Sequence, residues 1–284
     1  MSGGSPAGQN MNGVIHMKLE FAKLSPTQNM TLIVTSPVAR AEQPAVAEKL
    51  MAYGSVGAEQ VGFLEPATLP GARARLQMMG GEFCGNAAMS LAAFFAFQDN
   101  LPMDAETVYP LEISGADRRV DCRIVRNASA CTGSVNMPLP ERIEKCELEP
   151  FFRLPVVFFP GIAHVIVHED MLTDEQAERK IRSWCKAVGT EAFGILRTSA
   201  ANDRISPLVY VRETDSAVWE HGCGSGTAAL GAYCAMRSGQ DCTLDVAQPG
   251  GTIRVRAAYE AGQVSAIEIS GEVRLVAAGS AWID

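Results

Sequence analysis

No Cys-x-x-Cys pair occurs among the eight cysteines of this 284-residue chain, which stand at 84, 122, 131, 146, 185, 223, 234 and 242. Structural zinc sites bring paired, closely spaced ligands, so no metal centre is expected. A basic excess is missing too. The 24 Lys and Arg are outweighed by 32 Asp and Glu, the formal net charge is −8, and the basic residues are scattered rather than clustered. That disfavours nucleic acid and anionic membrane as partners and leaves a small molecule as the default. No run reaches the ~18 apolar residues that crossing a bilayer needs. Residues 1–13 are rich in Gly, Ser and Asn, with neither a basic start nor an apolar run. They do not read as a secretory signal, and 1–14 are expected to form a disordered tail. No lysine sits in a phosphate-cradling context, which disfavours a pyridoxal-phosphate enzyme. Thiols without a signal or a pairing pattern fit a cytoplasmic location, where they stay reduced.

What is present is ordinary globular material, 47% hydrophobic and 20% charged. The length suits one large domain or two of about 140 residues, and either buries a core without disulfides. Strand-like apolar and β-branched runs occupy 17–24 and 30–36, separated by the turn Ser25-Pro26-Thr27-Gln28-Asn29. A helix is expected over 42–53, with Pro44 near its start and Gly54 past its end. Further strands are expected at 61–65, 73–78, 118–125 and 133–137. The Glu/Pro-rich stretch 138–150 then reads as a link between two halves.

The second half repeats this plan. Strands are expected at 155–159 and 163–168, and a helix over 174–188 with Thr173 and Gln176 at capping-box spacing. Four more strands are expected at 207–212, 244–247, 252–257 and 265–269. Two segments match each other most closely. Gly81-Glu82-Phe83-Cys84-Gly85-Asn86 precedes an Ala/Leu/Phe helix, and Glu220-His221-Gly222-Cys223-Gly224-Ser225 precedes an Ala/Leu/Tyr helix. The expected architecture is a duplicated α+β fold, with domains at 15–145 and 146–284 and a cleft between them.

A helix start leaves N–H groups without intrahelical partners at the positive end of the macrodipole. Glycine there lets a carboxylate approach the backbone. The same field is expected to lower a thiol's pKa. Two such turns across one cleft set two thiols on opposite faces of one α-carbon, one to remove its proton and the other to return one. A lone cysteine at a helix start is ordinarily a small buried hydrophobe. Packing gives no reason to repeat the turn in both halves, so acid/base pair and buried thiol both stand as readings of the residues alone.

Five stretches carry a family likeness: 25–32, Glu59-Gln60-Val61-Gly62-Phe63, Glu82-Phe83-Cys84-Gly85-Asn86-Ala87, 219–227 and Gln248-Pro249-Gly250-Gly251. In that order they resemble the diaminopimelate epimerase-like superfamily, nearest to the histidine racemases of staphylopine-type metallophore synthesis. The resemblance spans nearly the whole chain. It implies two pseudo-symmetric halves, each a strand barrel around a central helix. It implies Cys84 and Cys223 as the acid/base pair of a cofactor-independent amino-acid racemase, with L- and D-histidine as substrate. Asn29, Asn86 and the backbone of Gly85, Gly224, Ser225 and Gly226 would touch the amino-acid head group. His164 falls where epimerases carry a histidine, and a satisfied core histidine is the other reading. Glu220 aligns ambiguously with an acid before the second cysteine. A second copy of the chain is the one macromolecular partner allowed for, as a homodimer.

One departure is informative. Diaminopimelate epimerases carry a Glu-Arg-Gly segment before the second cysteine, whereas here Trp219-Glu220-His221-Gly222 runs straight into Cys223 without an arginine. A distal carboxylate thus lacks its bidentate partner. Glu59, next to Gln60, suits a cationic or imidazole side chain better, unless it is simply a solvated acid starting a strand. An epimerase of diaminopimelate or proline type and a non-catalytic small-molecule or metal-binding protein are the alternatives.

Overall fold

The structure, a computed structural model, describes residues 17–149 and 152–284. The tail expected over 1–14 lies outside the described residues. The chain begins with β1 (Met17–Pro26), β2 (Thr31–Val34), helix α1 (Gln43–Met51), β3 (Gln60–Glu65) and β4 (Ala74–Met78). Helix α2 (Gly85–Gln98), β5 (Glu106–Ile113), β6 (Val120–Arg126) and β7 (Cys131–Asn136) complete the first half. The second half runs β8 (Arg142–Glu149), β9 (Phe152–Phe159), β10 (Ile162–His168), α3 (Asp174–Val188), β11 (Ala192–Thr198), β12 (Ile205–Val211) and β13 (Ser216–Trp219). Helix α4 (Gly224–Ser238), β14 (Cys242–Gln248), β15 (Gly251–Glu260) and the long β16 (Gln263–Ile283) end it.

The expectation of one barrel per half is overturned. Ten strands form one sheet in the order β1-β2-β3-β4-β5-β6-β7-β16-β15-β14, and six form a second, β13-β12-β11-β10-β9-β8. Neither is the closed barrel of its own half. The smaller sheet is open at β8 and β13, and the larger draws β14, β15 and β16 from the second half. The reason is pairing at long range: β16 lies against β7 with Glu268 opposite Asn136, and against β1 with Met17 opposite Ile283. The link expected over 138–150 is corrected as well. Residues 142–149 are β8, antiparallel to β9, and its alternating charges leave it largely exposed.

Two helices lie in the middle of this arrangement. Eleven positions of α2 are buried, from Gly85 to Ala96, and a helix apolar on all sides belongs inside a core. Helix α4 is likewise buried along Ala228, Ala229, Leu230, Ala232 and Ala235. Both helices enter one hydrophobic cluster with Leu76, Ile124, Val135, Val255 and Ile269. Small alanines let strands approach closely, so the two helix starts are fixed by a common core. Helix α3 is different. It is amphipathic, packs Ile181, Trp184 and Cys185 on the second sheet, and has the capping box expected of Thr173 and Gln176.

Candidate active site

Cys84 is the N-cap of α2, with extended backbone, and Cys223 is the N-cap of α4. Each thiol performs the capping otherwise done by Ser or Asp. The Ala87 N–H donates to Cys84 Sγ at 3.4 Å, and the Gly226 N–H donates to Cys223 Sγ at 3.2 Å. The repeated sequence turn is therefore a repeated structural device.

Around Cys84 the hydrogen bonds have one direction. Gln60 Nε2 donates to Asn29 Oδ1 at 2.8 Å and to Thr31 Oγ1 at 2.7 Å. That leaves its Oε1 as the acceptor facing Cys84 Sγ at 3.0 Å, and only the S–H form can donate to it. Asn29 reaches this place from the β1–β2 turn, where Thr27 and Gln28 adopt positive φ of 48° and 60°. The Thr27 carbonyl then presses on two glycines. A Cβ at Gly222 would lie 2.5 Å from it, and one at Gly250 2.2 Å. Gly250→Ala is expected to destabilise the protein by about 1–3 kcal/mol, as overpacking does, and to loosen the turn that delivers Asn29. A denaturation midpoint equal to that of the native chain would refute this close packing.

Cys223 is held by a closed ring of bonds. Its N–H donates to Gln248 Oε1 at 2.7 Å, Gln248 Nε2 donates to Thr227 Oγ1 at 2.7 Å, and Thr227 Oγ1 donates to the Cys223 carbonyl at 2.6 Å. Ser225 Oγ lies 3.6 Å from Cys223 Sγ and 3.0 Å from His164 Nε2. His164 is fully buried and its Nδ1 has no hydrogen-bond partner. Burial drives its pKa down to about 3, so the ring is neutral.

The two turns touch. Asn86 Nδ2 donates to the Gly222 carbonyl at 2.9 Å, which ties the start of α2 to the loop before α4. Asn86 Oδ1 is buried without a partner. Glu220 bears on both thiols: its charge raises the pKa of both Cys223 and Cys84. Burial lifts the Glu220 carboxyl itself from an ordinary 4.5 to about 7, with a smaller push from Glu59. Glu59 also titrates high, mainly through burial and against the pull of His221, whose Nδ1 lies 3.7 Å from Glu59 Oε1. The second oxygen, Oε2, is buried with no hydrogen-bond partner.

One expectation fails here. The helix-start field was expected to lower the thiol pKa values, and the N–H donors do act in that sense. Burial outweighs them and pushes Cys84 up to about 12, with further repulsion from Glu82 and Glu220. Cys223 is raised well above the usual thiol range by burial and by Glu220. Both cysteines rest as thiols.

Every residue expected at the site is in or beside this cluster, but not all for the expected reason. A Cβ on Gly85 would strike Met137 Sδ at 2.7 Å, and one on Gly226 would strike Leu196 Cδ2 at 2.7 Å. These glycines answer to packing. Gln248, Thr31 and His221 were not singled out, although all three lie inside the quoted family stretches. A groove of about 360 Å³ is lined by Arg142, Glu144, Arg153 and neighbours on β8 and β9, and it contains neither site cysteine. Among the described residues, no group of three or more His, Cys, Asp or Glu side chains is placed to hold a metal ion.

The fold is that of known racemases and epimerases. It superposes on a hydroxyproline epimerase from Agrobacterium vitis with a TM-score of 0.66, covering 94% of this chain and 93% of that one at 13% identity. It also superposes on a probable proline racemase from Agrobacterium radiobacter K84, with a TM-score of 0.64, 92% of each chain and 14% identity. The sequence comparisons are more specific. Residues 18–282 match the family model described as the histidine racemase CntK N-terminal domain. A histidine racemase of Fusobacterium nucleatum subsp. nucleatum is 31% identical over 279 residues, 96% of this chain and 100% of that protein. One from Staphylococcus aureus is 30% identical over 276 residues, 94% of this chain and 98% of that protein. The chain belongs to the histidine racemase family, and it is an isomerase acting on an amino acid.

Proposed function

We propose that this protein interconverts L- and D-histidine with Cys84 and Cys223 as the two proton carriers. The observation that carries the reading is that two helix-cap thiols, Cys223 buried and Cys84 partly buried, lie under the influence of one acid, Glu220. The substrate carboxylate takes the N–H groups of the first turns of α2 and α4, which have no intrahelical acceptors. Its ammonium group suits Asn86 Oδ1 and the Glu220 carboxylate, and its imidazole N–H suits the unpartnered Glu59 Oε2. His164, through Ser225, is proposed to hold the second cysteine's surroundings rather than to carry charge.

Glu220 supplies the resting base. Its carboxylate accepts the Cys223 proton, which leaves a thiolate and a neutral acid. The Cys223 thiolate takes the α-proton and becomes a thiol. Cys84 delivers its own proton to the opposite face and becomes the thiolate. One proton is removed and one returned, so the product is the other enantiomer. The reverse reaction uses the same groups in exchanged roles.

An amino-acid panel in deuterated water tests the reading, with α-deuterium uptake and loss of optical rotation as the signals. Histidine is expected to exchange and racemise. Exchange confined to proline or diaminopimelate would overturn the substrate, and exchange with no amino acid would overturn the activity.

A pH profile tests Glu220. The acid limb of kcat/KM is expected near pH 7, because only the carboxylate can accept a thiol proton, and Glu220→Gln should remove that limb. Stability has its own sign. The folded pKa is raised, so the protonated acid favours the folded chain. That contribution is full below the ordinary value of 4.5 and is lost as pH rises to about 7. The Gln variant should flatten the midpoint across that window. An unchanged profile on both counts would remove Glu220 from the scheme.

No helix among the described residues is long and apolar enough to cross a membrane. All eight cysteines are free, in keeping with a proposed cytoplasmic location. The functional unit is proposed to be a homodimer.

A further inference from the structure

We infer that Cys234 and Cys242 form a reversible oxidation site, a dithiol that a small-molecule disulfide converts into a bond stapling the end of α4 to the start of β14. The inference stands apart from the racemase reading. Cys234 lies one turn before the end of α4, and Cys242 is the first residue of β14. The chain reverses between them at Gly239, whose φ of 68° is left-handed and whose N–H donates to the Ala235 carbonyl at 2.9 Å. Helix and strand then run back along each other, and Gln248 at the far end of β14 donates to Thr227 in the first turn of α4.

Packing on the sheet decides which side chains meet near the turn. A Cβ on Gly231 would lie 2.5 Å from Val255 Cγ2, so this face of α4 rests directly on β15. Val255 pairs with Leu244, and the next inward-facing pair toward the turn is Ala257 with Cys242. Cys234 is three residues beyond Gly231, on the same helix face and in the same direction. The packing therefore sets Cys234 against Cys242. Both are half-buried side chains at the margin of the core cluster, within reach of a small reagent, whereas Cys122, Cys131 and Cys185 are buried. Burial raises both thiols, Cys234 to about 11. Beyond burial each bears on the other: Cys242 raises Cys234 further, and Cys234 draws Cys242 down.

Both groups rest as thiols at neutral pH. Cys242 is the attacking sulfur, because its neighbour favours its thiolate. It displaces one thiolate from the small disulfide and forms a mixed disulfide. Cys234 then gives up its proton, attacks the Cys242 sulfur and expels the second small thiolate. Two protein thiols are oxidised to one disulfide, and one small disulfide is reduced to two thiols, which carry away both protons. The closed loop spans only residues 234–242, so the bond ties α4 to β14 without joining distant parts of the chain.

The test treats the folded full chain with oxidised glutathione at mildly alkaline pH, where more of Cys242 is thiolate, then alkylates the remaining thiols and maps the peptides by mass spectrometry. Cys234 is expected to be linked to Cys242, two hydrogens lighter than the pair of thiols, and dithiothreitol should restore both. Cys234→Ser should leave Cys242 stopped at the mixed disulfide with glutathione. Oxidation should also raise the denaturation midpoint of the native chain, since a cross-link constrains the unfolded state, and Cys234→Ser should lose that rise. Free thiols at both positions after the treatment, or a separate mixed disulfide on each, would overturn the site. No rise in the native chain, or an equal rise in Cys234→Ser, would overturn the staple. Histidine turnover is read separately and judges the racemase reading.

Discussion

Serine at either Cys84 or Cys223 is expected to cut racemisation by at least about a thousandfold, the range lost when a positioned acid or base is removed. The fold should survive. Serine is a preferred N-cap, and its hydroxyl can accept the N–H of Ala87 or Gly226 that the thiol accepts now. The loss is chemical: a hydroxyl is a far weaker acid than a thiol, so the face it serves has no usable proton carrier. The two variants should also differ from each other. With one thiol left, exchange of the α-hydrogen with solvent survives for one enantiomer without inversion, and the variants should favour opposite enantiomers. Racemisation near the native rate in either variant would end the two-thiol scheme. Exchange of both enantiomers by one variant would show that a single group reaches both faces.

The parts of this arrangement that could be read from the sequence are those set by local chemistry. Helix α3 was expected over 174–188 and has those bounds, because its apolar period and the Thr173/Gln176 box lie within one segment. The two Cys-Gly helix starts were legible for the same reason. Strands β5, β8, β11 and β13 were not expected at all. Strand β8 carries five charges and β13 is four residues long, so neither has the apolar alternation that marks a half-buried strand. Strand β16 was expected only over 265–269: its buried alternation continues through Gly271 and Val273, but the exposed run 274–279 interrupts it before it resumes at Ala281 and Ile283. Its pairing with both β1 and β7 joins ends of the chain that no local window sees together, and this is what defeats the picture of two barrels.

Thiol acidity was misread for a related reason. A cysteine before a helix declares its helix-start donors in the sequence. It does not declare the burial around it or the acid folded beside it. Glu220 is close to Cys223 in sequence, but its effect on Cys84 arises only when Asn86 joins the two turns. The same holds for Gln60. Its direction of bonding depends on Asn29, from the β1–β2 turn, and Thr31, at the start of β2.

Histidine is expected to be turned over well, and alanine, proline and meso-diaminopimelate poorly or not at all. The basis is Glu59, whose Oε2 is buried with no partner in the protein while His221 lies 3.7 Å from Oε1. A buried oxygen left unpaired costs free energy, and an imidazole N–H offers the missing donor. Alanine and proline present no side-chain donor. Diaminopimelate brings a second carboxylate toward Glu59 and Glu220, with no arginine in the Trp219-Glu220-His221-Gly222 loop to balance it. A site built to bond a polar group rejects analogues that lack it, because its own groups are then stranded. Glu59→Gln keeps the shape and removes the charge. A hydrogen bond to a charged group is worth about 1.5–3 kcal/mol, so KM for histidine should rise about tenfold to a hundredfold. Turnover at saturation should change much less, the pattern of lost binding rather than lost chemistry. A fall in kcat with KM unchanged would move Glu59 from recognition to the proton path. Efficient epimerisation of diaminopimelate, with histidine inert, would discard the substrate and leave the two thiols in place.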